Sequence, residues 1–254
     1  NPDPMQFCST AFSTNHDAQL AMQFIKERSR EPVRLGLVAM AIPLSRAGID
    51  VAEARAKTLG MTPVDKQIVP PPTPDYTPFA TKLKSAGPNW VFSWAPWVTE
   101  IKTFEALRRL GWNGGYVAYA LAPAEDELAR VKDGEFYVVG AQAFFHDDLP
   151  AHREMRAAAA KANITYPVTQ IAEGWVGGMV LEQALKNTPW PPSAEKVHAA
   201  MNRLKVDTGG LRGAPIAWDK NNHFRTRQHY RVYRWDPAKQ SVVRVKDWTE
   251  IAIK

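Results

Sequence analysis

Two tryptophans three positions apart, Trp94 and Trp97, flank the turn Ser-Trp-Ala-Pro-Trp, where an apolar run gives way to a helical pattern. Aromatic rings at such a turn can clamp an apolar or flat solute, and ring stacking adds about 0.5–1.5 kcal/mol to simple burial. Tyr119 closes the next apolar run and offers a third ring. Ser45 and Arg46 follow the run at 33–41, and arginine brings a fork that matches a carboxylate. Gln170, with Glu173 close behind it, opens a later helical pattern. These are binding groups. The chemistry they suggest is capture of a small organic solute.

Groups suited to bond-making are missing from the pattern. The six histidines show no metal-ligand spacing. His146-Asp147-Asp148, the nearest constellation, reads as a solvated turn that leads into a helix. There is no nucleophile elbow, no zinc-protease motif and no phosphate loop. Gly209-Gly210 and Gly213 read as a turn. The single cysteine, Cys8, precludes an intrachain disulfide and reads as a small buried hydrophobe on a strand. No catalytic residue, metal or cofactor is expected.

A net charge of +6 raises the question of nucleic acid. The basic residues are scattered among acids, however, and the densest stretch, RTRQHYRVYR at 225–234, alternates charge with aromatics as an exposed strand face does. No nucleic-acid partner is expected. At 254 residues and 45% hydrophobic, the chain is long and apolar enough for a large core or two lobes. No apolar run approaches the roughly 20 residues of a membrane span.

Strands are expected at 5–10, 33–41, 62–69, 90–94, 116–120 and 136–141, with helices between them at 47–59, 76–86, 98–110 and 125–131. Asp17 is expected to cap an earlier helix. This βα alternation implies a doubly wound α/β sheet. Beyond Gly140 the texture changes to three helices at 150–162, 169–186 and 193–204, followed by β segments from Gly213 onward. Three helices without strands of their own look like part of a layer whose sheet lies elsewhere.

In this order, four segments resemble the type I periplasmic solute-binding proteins of the branched-chain amino-acid group. They are DYTPFATKLKSAGPNWVFSW (75–94), FEALRRLGW (104–112), QIAEGWVGGMVLEQAL (170–185) and LRGAPIAWDKNNHF (211–224), with HYRVYRWD closing the series. The resemblance implies a two-lobed α/β fold with doubly wound, mainly parallel sheets. Residues 1–141 would form lobe 2, 142–224 a returning, mostly helical part of lobe 1, and 225–254 a final β segment back in lobe 2. It also implies that the first half of lobe 1 is not in this chain and comes from an N-terminal segment or another chain. The implied function is non-enzymatic: a periplasmic solute-binding component of an ABC importer, docking on a membrane permease. A ligand-sensing receptor domain of the same fold and a non-transport subunit of a larger assembly are the alternatives.

Two departures from the family pattern bear on the solute. Ala47-Gly48 stands where the family has an aromatic followed by glycine. Apolar residues (YVAYALAP) stand where the family has an acid for a ligand ammonium, just after the strand at 116–120. A buried ammonium without a carboxylate costs several kcal/mol. The expected solute is therefore aromatic, apolar or carboxylate-bearing, held by Trp94, Trp97, Tyr119, Ser45, Arg46 and Gln170.

Overall fold

A computed structural model describes residues 6–8, 14–119, 124–218, 223 and 227–252. The chain divides into two compact units. One comprises residues 13–140 and 230–247; the other comprises 1–12, 141–229 and 248–254. They are called unit A and unit B here.

Unit A is built on strands β1 (Arg34–Met40), β2 (Thr62–Val69), β3 (Trp90–Trp94), β4 (Gly115–Tyr119) and β5 (Phe136–Gly140). Each of the pairs β2-β1, β1-β3, β3-β4 and β4-β5 is parallel. Every residue of β3, β4 and β5 is buried. Such strands have no solvent face to keep polar, which is why they read as unbroken apolar runs. The sheet is seven-stranded, in the order β2-β1-β3-β4-β5-β8-β9, where β8 is Arg227–Asp236 and β9 is Ser241–Ala252. Within unit A, β8 joins β5 antiparallel, with Val138 opposite Tyr233.

The crossover helices are α1 (Thr14–Arg28), α2 (Pro43–Thr58), α3 (Thr77–Ser85), α4 (Trp97–Arg109) and α5 (Ala124–Val131). Helices α2, α3 and α4 are followed by Gly60, Gly87 and Gly111 at positive φ, the left-handed turn that ends a helix without a Cβ penalty. Phe104, Tyr116 and Phe136 pack ring to ring beneath the sheet, with centroids 4.7–5.6 Å apart.

Three sequence expectations change here. Asp17 is not a cap: α1 begins at Thr14, so Asp17 lies inside the helix and is buried. Helix α2 starts at Pro43, four residues before the expected 47, because proline suits the first helical position, where no N–H is needed. Residues 6–8 form no strand and Cys8 is only half buried, while its backbone N–H donates to the His223 carbonyl at 3.2 Å. The remainder of the strand expected at 5–10 lies outside the described residues.

Unit B holds α6 (Pro150–Lys161), α7 (Ala172–Lys186) and α8 (Ala194–Met201), with the two-residue strands β6 (Lys205–Val206) and β7 (Ile216–Ala217) paired antiparallel. Ser193 caps α8, its Oγ accepting from the Lys196 N–H at 3.3 Å. The core gathers Met155, Val176, Val180, Leu204, Leu211 and Ile216. Helix α7 buries Ala172, Val176, Val180 and Ala184 on one stripe. A second stripe is open: a Cβ at Gly174, Gly177 or Gly178 would meet nothing within 4 Å, and Leu181 and Leu185 are exposed. The helix expected at 169–186 is in fact a 3-10 turn over Val168–Ile171 followed by α7.

Candidate functional site

Open α/β sheets present their ligand sites beyond the carboxyl ends of the strands. In unit A those ends are Met40, Trp94 and Tyr119, with the first turns of α2 and α4 beside them. Residues 120–123, included in the expected site region, lie outside the described residues.

The structure separates the two tryptophans. Trp94, the last residue of β3, is buried and is not on a loop. Its indole stacks on Tyr119 with centroids 5.2 Å apart and planes 14° off parallel. Its Nε1–H donates to Asp17 Oδ2 at 2.9 Å. A Cβ on Gly48 would come within 2.5 Å of Trp94 Cγ, so the missing side chain at Gly48 is what seats this ring. The expected clamp residue Trp94 is thus mainly a packing residue. Trp97, the first residue of α4, is 41% exposed and is the ring of the pair that solvent reaches.

Ser45 also corrects the sequence reading. Because α2 begins at Pro43, Ser45 turns inward and is fully buried. Its Oγ accepts from the Met40 N–H at 2.8 Å and donates to the Trp94 carbonyl, so it straps β1 to β3. Both bonds lie inside the fold, and the Ser45 side chain is out of reach of solvent. Arg46, one residue on, is exposed.

Tyr119 is buried, and its backbone N–H donates to Glu100 Oε1 at 3.1 Å. Glu100, in the first turn of α4, also accepts from the Ala95 N–H at 3.3 Å and is buried. The family pattern places an acid just after β4; the fold brings one to that strand end from α4 instead. Burial raises the Glu100 carboxyl well above the usual carboxylate range, against the two N–H bonds and with a further push from Asp17. A small cavity of about 10 Å³, room for roughly one water, lies among Trp97, Glu100, Ile101, Tyr119, Glu127 and Phe136.

Gln170 stands in unit B, exposed, in the 3-10 turn ahead of α7. It lines an open groove of about 1060 Å³ with Tyr166, Gly174, Trp175, Gly178 and Met179. Three acids, Glu154, Glu182 and Asp207, border the same groove. Close by in sequence, Glu173 pairs with Arg212 at 2.6 Å. The Arg212 side chain is only 2% exposed and also donates to the Ala141 carbonyl at 3.0 Å. Nothing in the local sequence around Arg212 marks it as buried; its partner is 39 residues away. Among the described residues no cluster of three or more histidines, cysteines and acids could hold a metal. Asp148 is in ion-pair range of Arg153 at 3.1 Å and Arg156 at 3.6 Å, beside the turn before α6.

This architecture has known counterparts. A family model described as periplasmic binding protein matches residues 1–240. The chain belongs to that family. The family binds ligands and does not transform them. The type I periplasmic-binding fold is shared with solved structures at low identity. One is a branched-chain amino acid ABC transporter protein from Thermus thermophilus with bound valine: TM-score 0.81, 18% identity, over 96% of this chain and 66% of that one. Another is a solute-binding protein from R. palustris in complex with benzoate: TM-score 0.78, 12% identity, over 99% and 68%. A third is a fatty acid ABC transporter substrate-binding protein from Thermomonospora curvata: TM-score 0.73, 16% identity, over 98% and 67%. The chain therefore spans about two thirds of the length of these binding proteins. No curated protein matches it in sequence.

Proposed function

We propose that the protein is the solute-recruiting component of an ABC importer, working outside the cytoplasm and delivering a small organic solute to a membrane permease. The family match over residues 1–240 supports the role. No described helix is long and apolar enough to cross a membrane, as suits a component that meets its permease from outside the bilayer.

The solute class follows from local chemistry, since proteins of this fold carry valine, benzoate or fatty acid by their own descriptions. The observation that carries the reading is Glu100. It accepts the Tyr119 backbone N–H, and burial favours its neutral form, with Oε1 committed to two backbone N–H groups. A neutral carboxyl is a poor partner for an ammonium but can donate to a carboxylate or carbonyl. Trp97 supplies an exposed ring and Arg46 an exposed guanidinium. An apolar or aromatic acid suits the exposed ring and the exposed guanidinium, and a neutral Glu100 offers no counter-charge to the ammonium of a simple α-amino acid.

Thermal unfolding of the full-length protein with benzoate, a medium-chain fatty acid or valine tests this. Ligand at 100 times its Kd stabilises by about 2.7 kcal/mol, and each kcal/mol moves the Tm of a chain this size by about 2–4 °C. The acids should raise the Tm by several degrees, valine should not, and Trp97→Ala should cut the response to acids. A response to valine alone would contradict the assignment.

The same reading expects further polypeptide, from the same chain or a partner, to complete unit B against the open stripe of α7. An uncovered apolar stripe marks a surface that a partner segment can bury. On α7 the open stripe is Gly174, Gly177, Gly178, Leu181 and Leu185.

A further inference from the structure

Surface helices turn apolar residues inward and polar residues outward. Beyond their first turns α2 and α4 obey this: Ile49, Phe104 and Leu107 are buried, while Asp50, Lys102 and Arg109 are exposed. Their first turns do the reverse. On α2, Leu44 is exposed and Ser45 is buried; on α4, Trp97 and Val98 are exposed while Thr99 and Glu100 are buried. Among the described residues, Leu44, Trp97 and Val98 are the large apolar side chains that unit A leaves open, each between 41% and 44% exposed.

The two turns rise from adjacent strand ends. Strands β1 and β3 are parallel neighbours with Ala39 opposite Trp94, and the Ser45 hydroxyl donates to the Trp94 carbonyl. The buried polar groups are used inside the fold: Ser45 straps β1 to β3, Thr99 shares a hydrogen bond with the Tyr76 hydroxyl at 3.4 Å, and Glu100 holds the end of β4. Turning these groups in leaves their apolar neighbours out. A local rule broken on two helices at one edge of a sheet marks a surface kept for something outside the unit.

We infer that Leu44, Trp97 and Val98 form a shelf for the apolar tail of the solute, and that the solute is a carboxylic acid with an extended apolar chain, longer than a single ring. The inference rests on the acid reading above and narrows it. A stable protein interface takes about 20–30 residues a side, whereas three side chains are the scale of a solute's apolar body. Arg46, exposed on the same turn as Leu44, supplies the charge that a carboxylate head needs. A ring stacked on Trp97 uses one of the three side chains; a chain of several methylenes can lie along all of them.

Calorimetric titration of the full-length protein with butanoate, hexanoate, octanoate and benzoate tests the shelf. Wild-type affinity should rise about fourfold for each methylene added. Leu44→Asn and Val98→Thr are close in shape to the residues they replace and lie at exposed positions. Each should lower octanoate affinity by about three- to tenfold and flatten the rise. A wild type that binds benzoate but gains nothing with chain length, or a rise unchanged in both variants, would overturn the shelf and leave the acid reading standing. Variants that lose stability while the rise is unchanged would mean that polypeptide covers the patch, which overturns the shelf as well. Binding of none of the acids would fail the parent reading and the shelf together.

Discussion

Unit A and unit B spend similar apolar sequence in different ways. In unit A the central strands β3, β4 and β5 are buried on both faces, and α4 buries Ile101, Phe104 and Leu107. In unit B, α7 is the more apolar helix, yet only one of its stripes is covered, and Trp190 beyond its end is 86% exposed. Hydrophobic sequence by itself does not say how much burial a segment finds; a parallel sheet gives it two faces, and a three-helix layer with two-residue strands gives it one. The contrast leaves β3 to β5 of unit A covered on both faces and α7 of unit B with one open stripe.

The largest effect that would break this contrast is a core deletion. Phe104→Ala in unit A should cost about 3–5 kcal/mol, because Phe104 is buried against Tyr116 and Phe136. Leu181→Ala should cost under about 0.5 kcal/mol in residues 1–254 alone, since Leu181 is 54% exposed. In a full-length protein with unit B completed, the same change should approach the about 2–5 kcal/mol of a buried leucine. Denaturant midpoints of both forms give the comparison. Equal, small losses in both would mean that α7 stays uncovered.

Next in size is the pH dependence of unit A. The folded pKa of Asp17 lies above its unfolded value of 3.8, so its contribution is full below that value and is lost as pH climbs through about 7. The swing is about 4 kcal/mol as an upper figure, because relaxation and water entry would reduce it. Carboxyls held low, such as Glu53 beside Lys57 and Lys66, run in the opposite sense. The difference between wild type and Asp17→Asn therefore isolates the effect. Between about pH 4 and about pH 7 the variant should lose less stability than the wild type. Parallel curves would show that Asp17 is not the buried acid described.

Smaller again is the seat of the indole. Gly48→Ala places a methyl about 2.5 Å from Trp94 Cγ and must displace the ring. Overpacking of this kind costs about 1–3 kcal/mol. Tryptophan fluorescence should shift with it. A neutral, spectrally silent Gly48→Ala would show that Trp94 is not held as tightly as its contacts indicate.

Much of unit A was legible because double burial leaves a plain signature: uninterrupted apolar runs punctuated by glycine and proline. The candidate site was less legible, and the reason is distance along the chain. Trp94 looked like an exposed clamp because its partner, Asp17, is 77 residues away. Ser45 looks available when the helix is expected to begin at 47; α2 begins at Pro43 and turns Ser45 inward. Glu100 was passed over because the family pattern places its acid after β4, while here the first turn of α4 reaches the same strand end. The only local hint was an acid four residues into an apolar helix start, Trp97-Val98-Thr99-Glu100. Arg46, Trp97 and Gln170 were placed where solvent reaches them, but Gln170 belongs to unit B and the other two to unit A.

The account rests most heavily on the solute being held at the carboxyl ends of the unit A strands. Amide hydrogen exchange of the full-length protein, with and without a saturating aromatic acid, tests that placement directly. The account predicts added protection at the first turn of α4, Trp97 to Ile101, and at the end of β4 around Tyr119. Protection confined to the unit B groove around Tyr166, Gln170 and Trp175, with none at α4 or β4, would contradict it.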